Sequence, residues 1–218
     1  MKFPTFQEEK KLWKRGYKRV ACLDEAGRGP LAGPVVASAV VITTAKFKIQ
    51  NSKFKILFKG LKDSKQLTAK RREEFYKILT KHPAIKWGIG RVSEKVIDKI
   101  NIKNAAELAM EKALKKLRCK PDFLIIDGNH IKNRKLKSIN HKLIVKGDEK
   151  VFSCAAASII AKVSRDRIML RYHKKYPRYR FDLHKGYPTK LHLRALKKYG
   201  PCKIHRKSFK PVRTCKGK

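Results

Sequence analysis

The chain has 218 residues with 57 Lys+Arg against 17 Asp+Glu, a formal net charge of +40, and like charge at that density opposes compaction unless a polyanion such as nucleic acid offsets it. A Lys-rich proteome is the plainer source of such charge, since lysine is spread along the whole chain rather than gathered on one segment. Hydrophobic residues at 42% suffice for one substantial core; no stretch approaches the ~18 apolar residues of a membrane span, and the N-terminus lacks the apolar centre of a signal peptide.

Residues 1–18 are charged and predict a short helix ahead of the first strand. Arg19–Asp24 (RVACLD) is a short apolar run ending in acid, and Pro34–Ile42 is β-branched and bounded by Gly33-Pro34, so both read as strands. The stretch that follows repeats KFKI at Lys46–Ile49 and Lys53–Ile56. It reads either as a basic hairpin with Asn51-Ser52 at its tip or, preferably, as a Lys-biased insertion without a role. Leu67–Thr80 has helical spacing with Thr68 as its cap, Ile85–Val92 alternates as a strand, and Ser93–Ile100 is a short helix. In Asn104–Leu117 the residues Leu108, Ala109, Ala113 and Leu117 fall in helical register. Phe123–Ile126 and Lys142–Val145 are short buried strands, Ser153–Tyr172 is a long helix opening on CAAASIIA, and Thr189–Lys198 is the last regular helix. Strands followed by alternating helices and strands predict a mixed α/β sheet with helices on its faces. The basic tail from Cys202 either packs back through Ile204 and Phe209 or stays free. Cys22, Cys119, Cys154, Cys202 and Cys215 are odd in number with no C-x-x-C pair, which suggests neither a disulfide framework nor a zinc site and suits a reducing cytoplasm.

In so basic a chain the acids beside apolar runs stand out. Asp24-Glu25 closes the first strand and opens AGRGPLAGP, Asp127 follows FLII, and Asp148 follows LIVKG. Side chains at strand C-termini converge on one edge of an α/β sheet, and clustered carboxylates repel unless a hard cation such as Mg²⁺ lies between them. Two such ions suit phosphodiester hydrolysis. Any one of these acids, Asp148 above all, reads equally as a turn or capping residue; the joint pattern favours a metal centre. Adjacent strand residues face opposite sides, so Asp24 and Glu25 share one site only if the chain turns between them, as Gly27 and Gly29 would allow. Arg28 between these glycines can grip a phosphate through its planar fork.

These segments, in this order, resemble the ribonuclease HII family: DEAGRGPLAGPVVASAV at Asp24–Val40, LKDSKQLTAKRREEFY at Leu61–Tyr76, INIKNAAELAMEKAL at Ile100–Leu114, IIDGNH at Ile125–His130, KGDEKVFSCAAASIIAKVSRDRIM at Lys146–Met169, HKGYPTKLHLRAL at His184–Leu196 and HRKSFKPV at His205–Val212. The resemblance implies an RNase H-like mixed sheet flanked by helices with a helical C-terminal part, as one domain over 1–218 with its core at about 19–200 and a basic tail at about 201–218. It implies an endonuclease that hydrolyses the RNA strand of RNA–DNA hybrids and incises 5′ to ribonucleotides embedded in duplex DNA, leaving 3′-OH and 5′-phosphate ends, in replication and repair. Position by position, it makes Asp24, Glu25, Asp127 and Asp148 the carboxylates that hold Mg²⁺ or Mn²⁺, two ions in all. It makes Gly27, Arg28 and Gly29 the readers of the ribose 2′-OH, Tyr187 the ring that stacks on the neighbouring sugar, and Lys65 and Lys146 phosphate contacts. Fewer than ~25 residues precede Asp24, which favours the type II enzymes over type III, whose members carry an extra N-terminal domain. The partner is nucleic acid and not a membrane, and the expected enzyme is a cytoplasmic monomer. The competing readings are a non-catalytic basic nucleic-acid-binding protein and, more weakly, a DNA-directed nuclease of similar fold. His184 and His192 are set aside as packing or surface residues.

Overall fold

A computed structural model describes residues 3–43 and 56–215. The KFKI repeat and its proposed hairpin lie outside the described residues, apart from Ile56. Helix α1 (Gln7–Lys14) precedes strands β1 (Val20–Ala26) and β2 (Val35–Ile42). Helix α2 (Ala69–Lys81) leads into β3 (Ile85–Val92), α3 (Glu94–Lys115) and β4 (Phe123–Asp127). After β5 (His141–Ile144) come the long helix α4 (Phe152–Lys175) and α5 (Lys190–Tyr199). The 5-stranded sheet has the order β3-β2-β1-β4-β5. β1 is central, antiparallel to β2 and parallel to β4.

Local chemistry sets the helix boundaries. The Thr68 hydroxyl accepts from the Arg71 amide and Thr189 accepts from the His192 amide, so each threonine satisfies a donor that the first turn of its helix leaves open. The two helices read at Ser93–Ile100 and Asn104–Leu117 form one element, broken at Asn101, whose φ is 62°. The Asn101 Oδ1 accepts from the amides of Lys103 and Asn104 at 3.0 and 3.1 Å and starts the second half as a cap would.

Period-two alternation divides the sheet between two helices. On one face Ala21, Leu23, Leu124 and Ile126 pack with Ala105, Ala109 and Ala113 of α3. On the other, Val20, Cys22, Phe123 and Ile125 meet Val151 and Cys154 at the start of α4, while Val40 and Ile42 meet Ala155, Ala156 and Ile159. The small residues that open α4 therefore let it lie close over β1 and β2, which are buried on both sides. α3 comes closer still to β3: a methyl group at Gly90 would overlap the Ala109 carbonyl oxygen, and one at Gly88 would overlap that of Ala113. The tail packs back. Ile204 joins a cluster with Ala32, Met169 and Phe181, and the Asp98 carboxylate accepts from the amides of Lys207 and Ser208 at 3.0 and 2.9 Å. Among the described residues no helix is long and apolar enough to cross a membrane.

Gly90→Ala forces α3 away from β3 and costs about 1–3 kcal/mol, the usual range for overpacking a close contact. Urea unfolding measures it, and a variant within about 0.5 kcal/mol of the parent, the scatter of surface substitutions, would show that the helix can give way freely.

Candidate metal centre

The alternation that divides the core also sorts the acids. Cys22 and Ile125 are paired partners on the α4 face, so Asp24 and Asp127, each two residues further on, point to that same face. The register ends at Leu23–Ile126, and one step beyond it Asp24 and Asp127 are neighbours. Asp148 arrives from a one-turn helix, Gly147–Lys150, that follows β5 rather than from a strand end. Its turn is tied down where the Gly147 amide donates to Asp127 Oδ1 at 2.9 Å. One oxygen from each of Asp24, Asp127 and Asp148 lies within 4.8 Å of the others.

Glu25 is placed differently. β1 runs on through Glu25 to Ala26, paired with Ala37 and Val36 of β2, so there is no turn between Asp24 and Glu25. The turn comes at Gly27, whose φ is +99°. Glu25 consequently faces the α3 side, where it borders a second hollow with Asn104, Glu107 and Met110. Its Oε1 accepts from Arg28 Nη1 at 3.2 Å, and it also reaches the rim of the main cleft.

The electrostatics are those of crowded carboxylates. Burial raises Asp24 well above the ordinary carboxylate range, and Glu25, Asp127 and Asp148 push it further the same way. Burial also raises Asp127, and burial together with Asp127 and Asp63 lifts Asp148 to about 7. For Glu25 burial outweighs the opposing pull of Arg28. A hard divalent cation fits this donor set, because the ligands are all carboxylate oxygens and their mutual repulsion vanishes once positive charge lies between them.

Around this acidic floor the rim is basic. The cleft, of about 860 Å³, is bordered by Arg28, Lys65, Arg72, Lys146 and Lys162. Lys65 Nζ stands 3.6 Å from Asp148 Oδ2 on a mostly exposed side chain. Lys146 takes a left-handed backbone (φ 57°, ψ 47°) that turns the chain into the Asp148 helix, and its Nζ is 3.6 Å from Glu149. Gly27, Arg28 and Gly29 line the same cleft, as does Tyr187. A methyl group added at Gly29 would stand 3.8 Å from Tyr187 Cε1, so the loop and the ring are neighbours. A side chain at Gly27 would overlap the buried Arg165.

The D-S-K block brings Asp63 to the site as well as Lys65, although its local sequence marks only the lysine. Asp63 is 5% exposed and caps the turn Ser64–Gln66 by accepting from the Lys65 amide at 3.1 Å. Ser158 Oγ on α4 donates to Ser64 Oγ at 2.7 Å and sits 3.4 Å from Asp63. An Asp opening a short turn looks like an ordinary cap, and only the fold brings it to Asp148. His184 and His192 are packing residues: both are buried, stacked at 4.4 Å between centroids, and His192 Nε2 lies 3.0 Å from His205 Nε2. His192 Nδ1 reaches the Tyr187 carbonyl at 2.9 Å, and the Cys202 amide donates to His205 Nδ1 at 2.9 Å. These contacts close with both rings neutral: His205 donates to His192, which donates to Tyr187. The cluster thereby holds the turn that presents Tyr187.

The family model described as Ribonuclease HII matches residues 21–212. The ribonuclease HII of Caldicellulosiruptor bescii is 47% identical over 204 residues, 94% of this chain and 92% of its own. That of Chlamydia muridarum is 48% identical over 200 residues, 92% of this chain and 86% of its own. Among solved structures, the ribonuclease H2 of Pyrococcus horikoshii superposes with a TM-score of 0.72 at 29% identity, covering 90% of this chain and 96% of that one. The RNase HII of Archaeoglobus fulgidus, solved in complex with PCNA, gives 0.67 at 27% identity over 91% and 97% of the two chains.

Burial holds His192 and His205 at about 4, below the usual imidazole value of 6.5. Their contribution to stability is thus complete above pH 6.5 and is lost as pH falls from there toward 4, because the unfolded chain takes up the protons first. Without metal, Asp148 runs the other way: raised to about 7, it favours the folded chain in acid and withdraws that as pH rises through 7. Imidazole NMR resonances separate the two. Those of His192 and His205 should stay in the neutral form down to about pH 4, and titration near 6.5 would contradict the closed hydrogen-bond chain.

Proposed function

The chain belongs to the ribonuclease HII family, a type II ribonuclease H acting on RNA–DNA hybrids, and from that premise we propose that it also incises duplex DNA on the 5′ side of single embedded ribonucleotides, with Asp24, Glu25, Asp127 and Asp148 binding the metal. The observation that carries this reading is a convergence: Asp24, Asp127 and Asp148 lie within 4.8 Å of one another in the cleft that also contains Gly27–Gly29 and Tyr187.

Divalent ions held there, Mg²⁺ or Mn²⁺ and two in number, would supply an activated water and stabilise the leaving 3′-oxygen, so that the products carry 3′-OH and 5′-phosphate ends. The remaining tasks fall to the protein. The basic rim of Arg28, Lys65, Lys146 and Lys162 draws the phosphate backbone over an acidic floor that would otherwise repel it. RNA differs from DNA at the 2′-OH, a donor and acceptor that a protein can test. The Gly27-Arg28-Gly29 loop reads that hydroxyl within reach of the metal ligands. Tyr187, 38% exposed beside Gly29, offers its ring to the adjoining sugar, so that the ribose is tested on both sides. Glu25, fixed by Arg28, stands where the loop meets the carboxylates and joins the centre from the α3 side.

A duplex with one ribonucleotide, compared with its all-DNA counterpart, tests the reading. Cleavage 5′ to the ribonucleotide that requires Mg²⁺ or Mn²⁺, with the all-DNA duplex intact, is the expected result; cutting of both duplexes, or of neither, would refute it. Asp24→Asn removes one ligand charge at nearly constant volume. It should reduce the metal-dependent rate by about 10²-fold or more, as loss of a key electrostatic group does. At pH 8 without metal it should also raise the melting temperature by ~2–4 °C, the shift that about 1 kcal/mol produces in a chain of this size, because it relieves the repulsion. Retained activity would remove Asp24 from the metal set.

A further inference from the structure

Two arginines, Arg165 and Arg206, are fully buried, both 0% exposed. A buried guanidinium is tolerated only when its donors are met, and here they meet backbone carbonyls. Arg165 donates to Pro34 O, Lys185 O and Ala32 O at 2.9, 3.0 and 3.0 Å. Arg206, in the C-terminal segment, donates from Nε to Gly33 O at 3.0 Å, from Nη1 to Arg28 O at 2.9 Å and from Nη2 to Gly27 O at 2.6 Å. Its Cζ also lies 5.0 Å from the centroid of the Phe209 ring, which supports the plane of the fork.

The last two bonds have a directional consequence. In a trans peptide the C=O and the following N–H point in opposite directions, and the structure contains no cis peptide bond among the described residues. With the Gly27 and Arg28 carbonyls drawn inward to Arg206, the amides of Arg28 and Gly29 point outward, on the cleft side of the loop. Neither amide donates to another group among the described residues. They form a pair of aimed, unspent donors on the loop that faces the substrate.

We propose that Arg206 is a positioning residue for ribose recognition: by holding the Gly27 and Arg28 carbonyls it aims the Arg28 and Gly29 amides at the 2′-OH. This rests on the ribonucleotide-incision reading above. A planar fork suits the task because it grips two successive carbonyls at once with fixed spacing, which a lysine ammonium on its flexible stem cannot reproduce. The positive charge lying behind the loop also makes the outward amides stronger donors, since their peptides are polarised in the same sense.

The test compares Arg206→Lys with the parent enzyme in Mg²⁺ at one salt concentration. The quantities are KM for a duplex with a single ribonucleotide and the inhibition constant of the matching all-DNA duplex as competitor; their ratio reports the enzyme's preference for the 2′-OH. The expected result is a ratio reduced by roughly 3- to 10-fold, the factor for one aimed hydrogen bond, with the all-DNA constant unchanged because phosphate contacts are intact. If KM and the all-DNA constant weaken together, or neither moves, Arg206 is a packing residue only and the proposal is overturned. If the parent itself shows no preference, the ribose-recognition reading falls first and takes the proposal with it. Should Arg206→Lys not fold, Phe209→Leu loosens the guanidinium while keeping its donors; a smaller loss of the same ratio supports the proposal and an unchanged ratio overturns it.

Discussion

Carboxylates buried side by side repel, and a fold that builds such a group must hold it by other means until a cation arrives. Here the means are the sheet's own register. Parallel pairing of β1 with β4 sets Cys22 against Ile125, and two residues later the same parity brings Asp24 and Asp127 together on the α4 face. The Gly147 amide, donated to Asp127, then ties the turn that delivers Asp148. The rest of the centre follows from this constraint. Burial first, and the neighbouring carboxylates after it, raise Asp24 and Asp148 above the carboxylate range, while Lys65 and Lys146 stay on the rim of the cleft.

The same parity puts Glu25 on the opposite side. Its partner is Arg28, and through Arg28 it is coupled to the loop that would contact the ribose. The centre is therefore better described as three converging carboxylates with a fourth beside the Gly27–Gly29 loop than as a symmetrical group of four. Behind the loop, Arg165 and Arg206 replace water as the partners of backbone carbonyls, and the neutral histidines His192 and His205 fix the turn carrying Tyr187. Residues from the C-terminal segment thus brace both sides of the loop-and-ring pair, although none of them lines the cleft.

Much of this was legible in the sequence, and what was not has physical reasons. Strand and helix positions followed from alternation and helical spacing, and the Thr68 cap from its residue type, whereas Thr189 proved to be a cap rather than the first helical residue. Asp24 and Asp127 stood out because acids directly after buried apolar runs are unusual in so basic a chain. The gap between Ser93–Ile100 and Asn104–Leu117 marked the interruption at Asn101, but not its form, because a single residue at positive φ leaves hydrophobic spacing intact on both sides. Asp63 was hidden because an acid that only caps a turn and one that also faces Asp148 have the same local sequence. Arg206 lies in the HRKSFKPV segment, but its role was hidden because burial of an arginine depends on which carbonyls the tertiary fold offers. Glu25 was misjudged in one respect: the glycines that suggested a turn between the two acids make that turn two residues later.

Locating bound Mn²⁺ in crystals by its anomalous scattering tests the central claim most directly. Density in direct contact with oxygens of Asp24, Asp127 and Asp148, at the ~2 Å separation typical of small divalent ions, is the predicted result. Mn²⁺ bound only at other carboxylates, with these three left without a cation at saturating concentration, would contradict it.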